Sequence, residues 1–104
     1  MHGYQVTFYT VQDRKHGHQP LCEWLMQEAK KLGGGATLTP ATEGVGREHR
    51  LHSAGFVDLA DQPIKVEMIL SNEETAKLFD RISEEKIDVF YTKLPIEFGA
   101  TSDL

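Results

Sequence analysis

The apolar and polar positions of the chain follow two different periods. From Tyr4 to Val11 they alternate, with Tyr4, Val6, Phe8 and Thr10 on one side and Gln5, Thr7, Tyr9 and Val11 on the other. A period of two in residues this rich in aromatic and β-branched side chains predicts a strand. Asp13 to Gln19 is polar and is broken by Gly17. Helical spacing follows, with Leu21, Trp24, Leu25, Ala29 and Leu32 on one face. Pro20 suits the first helical position, where no backbone donor is needed, and Gly33-Gly34-Gly35 supplies a left-handed stop. Strand signal returns from Ala36 to about Thr42. It resumes at Ile64, with Val66, Met68 and Leu70 on the same face and Lys65, Glu67 and Ile69 on the other. Ser71 and Glu74 form a candidate capping box for a helix through Thr75 to Glu85, which turns Leu78, Phe79 and Ile82 inward and Lys77 and Arg81 outward. The last strand, Ile87 to Leu94, ends at Pro95.

The order β-α-β, long loop, β-α-β predicts an α+β domain: a ferredoxin-like βαββαβ with a four-stranded antiparallel sheet and two helices on one face. One domain of residues 1–104 accounts for the length. It carries a long mobile loop at about 43–62, in which Gly55 to Leu59 can add a short strand extension, and a flexible tail at 96–104. Loops longer than about 12–15 residues in so small a domain are usually functional or mobile. The face away from the helices carries Tyr9, Val11, Ile69 and Phe90, too apolar for solvent, which predicts burial against other subunits.

Composition narrows the function. Sixteen acidic against eleven basic residues give a formal charge of −5, which argues against a nucleic-acid binder. A lone cysteine, Cys22, excludes an internal disulfide and any multi-cysteine zinc site, and on the first helix it reads as a buried, inert thiol. No apolar run approaches the 18 or so residues of a membrane span, and Met1-His2-Gly3-Tyr4 is not a basic-then-apolar signal. A soluble, cytoplasmic protein is expected. Glu84 and Glu85, adjacent at a helix end, read as solvated, and no serine is matched to a histidine and an acid, so nothing points to an enzyme.

The segment Glu43-Gly44-Val45-Gly46-Arg47-Glu48-His49-Arg50-Leu51-His52 carries the chemistry. Gly44 and Gly46 let backbone N–H groups approach an anion, and Arg47 and Arg50 can add charge-assisted contacts to phosphate or carboxylate. A G-x-G-R after the second strand of such a chain resembles the PII signal-transduction proteins, and Gln62-Pro63-Ile64-Lys65 is similar to their strand leaving the mobile loop. The closer resemblance is to the small PII-like proteins of unassigned function. Its features are Pro20-Leu21, Gly35-Ala36-Thr37, Gly44-Val45-Gly46 and His52, and it covers roughly Tyr4 to Leu94. It implies a homotrimer with a small anionic ligand, such as an adenine nucleotide, in clefts between subunits. Gly44, Gly46, Arg47, Arg50 and Lys65 would be the ligand-binding residues, and the mobile loop would dock on a partner such as a membrane transporter or an enzyme. In such a trimer the charged turn Asp13–His18 sits near the cleft mouth, within reach of an anion for Lys15 and the histidines; by itself it reads as a solvated turn. The chain departs from PII in three places. Ser83-Glu84-Glu85-Lys86-Ile87-Asp88 lacks the glycine-lysine loop and sets two glutamates against phosphate, no arginine pair follows the last strand, and no tyrosine lies between Arg47 and Pro63.

Histidine is the commonest transition-metal ligand. His16-x-His18 and His49-x-x-His52 both lie in predicted loops, where exposed polar residues are the plainer account. The metal candidates are His49 and His52, with Glu48 or Asp58 as a third ligand. They support an alternative, a CutA-like divalent-metal tolerance protein of related fold, though that family lacks the G-x-G-R feature. A second alternative is a dimeric ferredoxin-like enzyme.

Overall fold

The computed structural model of the protein describes residues 1–41, 43–45, 51–53 and 62–104, with backbone alone for 43–45 and 51–53. Strand β1 (His2–Val11) sits inside a four-stranded sheet, because both of its edges find a partner. One side pairs antiparallel with β7 (Pro63–Ser71), in register Val6 with Met68, and the other with β8 (Phe90–Glu97), in register Val6 with Lys93. Strand β4 (Gly35–Pro40) completes the order β4-β7-β1-β8, pairing antiparallel with β7. The short pairs β2 (Lys15–His16) with β3 (Gln19–Pro20), and β5 (Glu43–Val45) with β6 (Leu51–Ser53), stand outside this sheet. The fold is therefore the α+β arrangement that the order of elements predicts.

Strict alternation decides which face takes the helices. Ile64, Val66, Met68 and Leu70 of β7 are each at most 2% exposed and meet Val6 and Phe8 of β1 beneath the helices. At about 1.5–3 kcal/mol for each such side chain, β7 carries a large share of the core. Helix α1 (Leu21–Leu32) contributes Leu21, Trp24, Leu25 and Ala29, and helix α2 (Asn72–Glu84) contributes Leu78 and Ile82.

Each helix end has a local cause. Pro20 lies one residue before the position expected for it, as the cap, and the Leu21 N–H is satisfied by the Arg14 carbonyl at 2.7 Å. Gly33, at φ +83°, ends α1 in the left-handed conformation, and the Gly34 N–H reaches back to Ala29. A Cβ at Gly34 would collide with the Leu70 side chain, so the glycine also lets the chain pass close over β7. Ser71 ends β7 and caps α2 in the same residue: its Oγ accepts from the Glu74 N–H at 3.2 Å, and Glu74 Oε1 accepts from the Ser71 N–H at 2.8 Å. Helix α2 closes with Lys86 at φ 55°, the Lys86 N–H donating to Ser83 and the Ile87 N–H to Ile82, a Schellman arrangement usually built on glycine.

Three boundaries differ from expectation. The last strand starts at Phe90 rather than Ile87, because Ile87 is taken up by the α2 cap. It also continues through Pro95 to Glu97, two residues into the stretch expected as a tail. Proline is tolerated there because β8 is an edge strand and its missing donor can face away from β1. Finally, the stretch expected as a long loop at about 43–62 contains the β5–β6 ladder, with Glu43 opposite Ser53 and Val45 opposite Leu51. Gly55–Leu59 lies outside the described residues.

Candidate functional site

Strand direction gathers several connections at one end of the sheet. β1 runs out at Val11 into the β2–β3 hairpin, β4 runs out at Pro40 toward β5, and β7 and β8 begin there. Backbone bonds hold these segments together: the Ala41 N–H donates to the Pro63 carbonyl at 2.8 Å, and the Gln12 N–H to the Gln62 carbonyl at 2.9 Å. The entry and exit of the long segment are thus fixed beside the first connection.

Lys65 stands at this end. Its register partners are Thr39 on β4 and Tyr9 on β1, and Tyr9 is in turn opposite Phe90. All four belong to the sheet face that neither α1 nor α2 covers. The ring centroids of Tyr9 and Phe90 are 5.7 Å apart. Lys65 is exposed, and among the described residues it makes no ion pair. Gly44 falls in β5 directly opposite His52 in β6, which brings the two glycine-motif strands together in backbone register. Gly46, Arg47, His49 and Arg50 lie outside the described residues, as do Glu48, Phe56 and Asp58. No set of three metal-ligating side chains occurs among the described residues.

The hairpin after β1 is more than a solvated turn. Gly17, at φ +65°, takes the first central position of a two-residue connection between His16 and Gln19, the place where a type II′ turn needs glycine. This folds His16 onto the end of α2, with Nε2 3.2 Å from Glu85 Oε1 and the ring edge-on to Trp24 at 5.2 Å. An Arg14 guanidinium N–H donates to the Asp88 carbonyl. Beside it Arg81, expected to point to solvent, donates from Nε to Glu28 at 2.9 Å and lies 3.3 Å from Glu84. Glu28 is nearly buried, also meets Lys31 at 3.3 Å, and with Glu84 holds the Arg81 guanidinium above its ordinary pKa. Of the two glutamates expected to repel phosphate at the end of α2, Glu84 is paired with Arg81 and Glu85 meets the His16 ring. Sequence reasoning missed these contacts. The only local signal was a glycine between two histidines.

Cys22 is 2% exposed, and burial pushes its thiol above the ordinary value, with the charge of Glu23 adding to the rise. The thiol is inert packing, as expected. No described helix is long and apolar enough to cross a membrane.

The fold is that of the PII-like proteins. A PII-like protein of nitrogen regulation from Thiomonas intermedia K12, in a structure bound to ADP, AMP and bicarbonate, superposes with a TM-score of 0.69 over 96% of this chain and 91% of its own, at 13% identity. A second structure of that protein, bound to ADP and bicarbonate, gives a TM-score of 0.65 at 14% identity, covering 96% of this chain and 91% of its own. A protein from Thermus thermophilus described as PII-like in signalling shares 28% identity over 92% of this chain and 88% of its own, with a TM-score of 0.65. The chain belongs to the DUF190 family, described as an uncharacterized ACR, whose model matches residues 3–97. No curated protein matches the sequence.

Proposed function

We propose that the protein is a PII-like regulator, not an enzyme, that binds a small anionic ligand, an adenine nucleotide, in clefts between the subunits of a homotrimer in the cytoplasm. The observation that carries this reading is Lys65: a cation with no ion pair among the described residues, at the end of the uncovered sheet face where the glycine-arginine segment enters and leaves. The Thiomonas intermedia protein of the same fold is seen with ADP, AMP and bicarbonate bound. Gly44 and Gly46 give close backbone approach, Arg47 and Arg50 contact the anion, and the segment from about 43 to 62 responds to the ligand and docks on a transporter or enzyme.

Two features support the assembly. Tyr9 and Leu94 on the uncovered face are 40% and 58% exposed, more apolar surface than an isolated subunit benefits from showing. The two edge strands, β4 and β8, run antiparallel to each other, so the edge of one copy can extend the sheet of the next in the pattern already used within it. Such a head-to-tail contact closes into a ring when the rotation permits.

Isothermal titration with ATP, ADP, AMP and cyclic nucleotides, with bicarbonate present and absent, tests the ligand. Binding of at least one nucleotide is expected, weakened about tenfold or more in Lys65→Ala and in Arg47→Ala, as befits loss of a charge-assisted contact. Absence of heat with every nucleotide removes the nucleotide reading, and binding with unchanged affinity in both variants removes Lys65 and Arg47 from the site.

A further inference from the structure

We infer that the β2–β3 hairpin is a proton-sensitive clasp, closed onto the end of α2 when His16 is protonated and loosened when it is neutral. Three carboxylates gather where the hairpin meets the helices: Glu28 from α1 and Glu84 and Glu85 from the end of α2. Among the described residues, only two permanent cations serve them. Lys31 is committed to Glu28, and Arg81 directs Nε to Glu28 and one terminal nitrogen to Glu84, so its other nitrogen reaches Glu85 only at 4.0 Å. Glu85 is the under-served member. His16 Nε2 at 3.2 Å supplies the third cation once it takes a proton.

The charged groups carried by the elements that meet at the hairpin enter the balance. α1 brings Glu23, Glu28 and Lys31 beside Trp24, and α2 brings Arg81, Glu84 and Glu85. The following turn brings Lys86 and Asp88, and the hairpin itself carries Asp13, Arg14, Lys15 and His18. Arg14 is anchored to a backbone carbonyl rather than to a carboxylate, so it fixes the hairpin without neutralising Glu85. Arg81 opposes the imidazolium, but its charge is spent on Glu28 and Glu84. The sign follows. With the ring protonated, a charge-assisted bond holds the hairpin down. A neutral ring offers at most an ordinary hydrogen bond.

The clasp has reach beyond itself, because Gln12, three residues before the hairpin, donates its N–H to the Gln62 carbonyl at the exit of the long segment. Proton uptake at His16 therefore tightens one anchor of that segment. This holds whether or not a nucleotide binds.

The sole tryptophan, Trp24, lies against the His16 ring and reports its charge, since imidazolium quenches indole fluorescence. Fluorescence of the full chain titrated from pH 5 to 8 should show a transition that disappears in His16→Gln and survives in His18→Gln. Amide exchange over residues 12–21, corrected for intrinsic rates, should be about two- to fivefold better protected at pH 5.5 than at 7.5, the size of a half-exposed ion pair. Glu85→Gln should flatten that difference while α1 and β7 stay protected. Protection that is independent of pH in the unaltered chain overturns the clasp, and so does a pH dependence that persists in His16→Gln.

Discussion

Replacing Leu94 by glutamate puts the subunit contact to a quantitative test. Leu94 lies on the edge strand β8, opposite Gln5, on the face without helices, and is 58% exposed in the single chain. Complete burial of a leucine is worth about 1.5–3 kcal/mol, so covering what remains exposed contributes about 1–2 kcal/mol per copy. Three copies give about 3–5 kcal/mol, and a buried carboxylate adds a desolvation penalty to that loss. Because the concentration for half-dissociation of a trimer scales with the square root of its dissociation constant, it should rise at least about tenfold. The side chain takes no part in the core, so the folded subunit should survive. Size exclusion with light scattering over a dilution series reads the assembly, and far-ultraviolet circular dichroism checks the fold. A Leu94→Glu protein that stays trimeric down to the same concentration as the unaltered chain refutes the placement of this face. An unaltered chain that is monomeric throughout refutes the assembly.

Two further outcomes test the local physics. Ser71→Ala removes the acceptor for the Glu74 N–H and should cost about 1 kcal/mol, lowering Tm by about 4–8 °C at a fixed protomer concentration; a shift under a degree would show that Glu74 alone caps the helix. Cys22, with its thiol pushed up by burial, has less thiolate than a free cysteine at any pH below its own pKa. Iodoacetamide should therefore label the native protein at pH 8 at least about tenfold more slowly than the denatured one, and equal rates would place the thiol at the surface.

The parts of the fold legible in the sequence are those with local causes. Gly33 in the left-handed conformation, the Ser71–Glu74 box and the alternation of Ile64, Val66, Met68 and Leu70 each speak through residues a few positions apart. What escaped depends on tertiary context. Pro95 looks like a strand terminator until β8 is known to be an edge. Two-residue strands around Gly17 are too short to carry a period, and their reason for forming lies in Glu85 and Trp24, outside the hairpin. The site divides in the same way. Lys65 could be picked out from its place after Pro63, but its lack of a carboxylate partner among the described residues follows only from the register with Thr39 and Tyr9.

The two chain ends bear on how the protein can be handled. The Met1 ammonium donates to the Phe98 carbonyl at 3.0 Å, and the Phe98 N–H to the Met1 carbonyl at 2.8 Å, so Phe98 is held against the start of β1. Ten residues of extended strand put about 30 Å between that point and Val11, where the hairpin and the long segment are anchored. A fluorophore placed at Met1 or Phe98 therefore sits at the pole opposite Lys65, away from the end at which the ligand site is proposed.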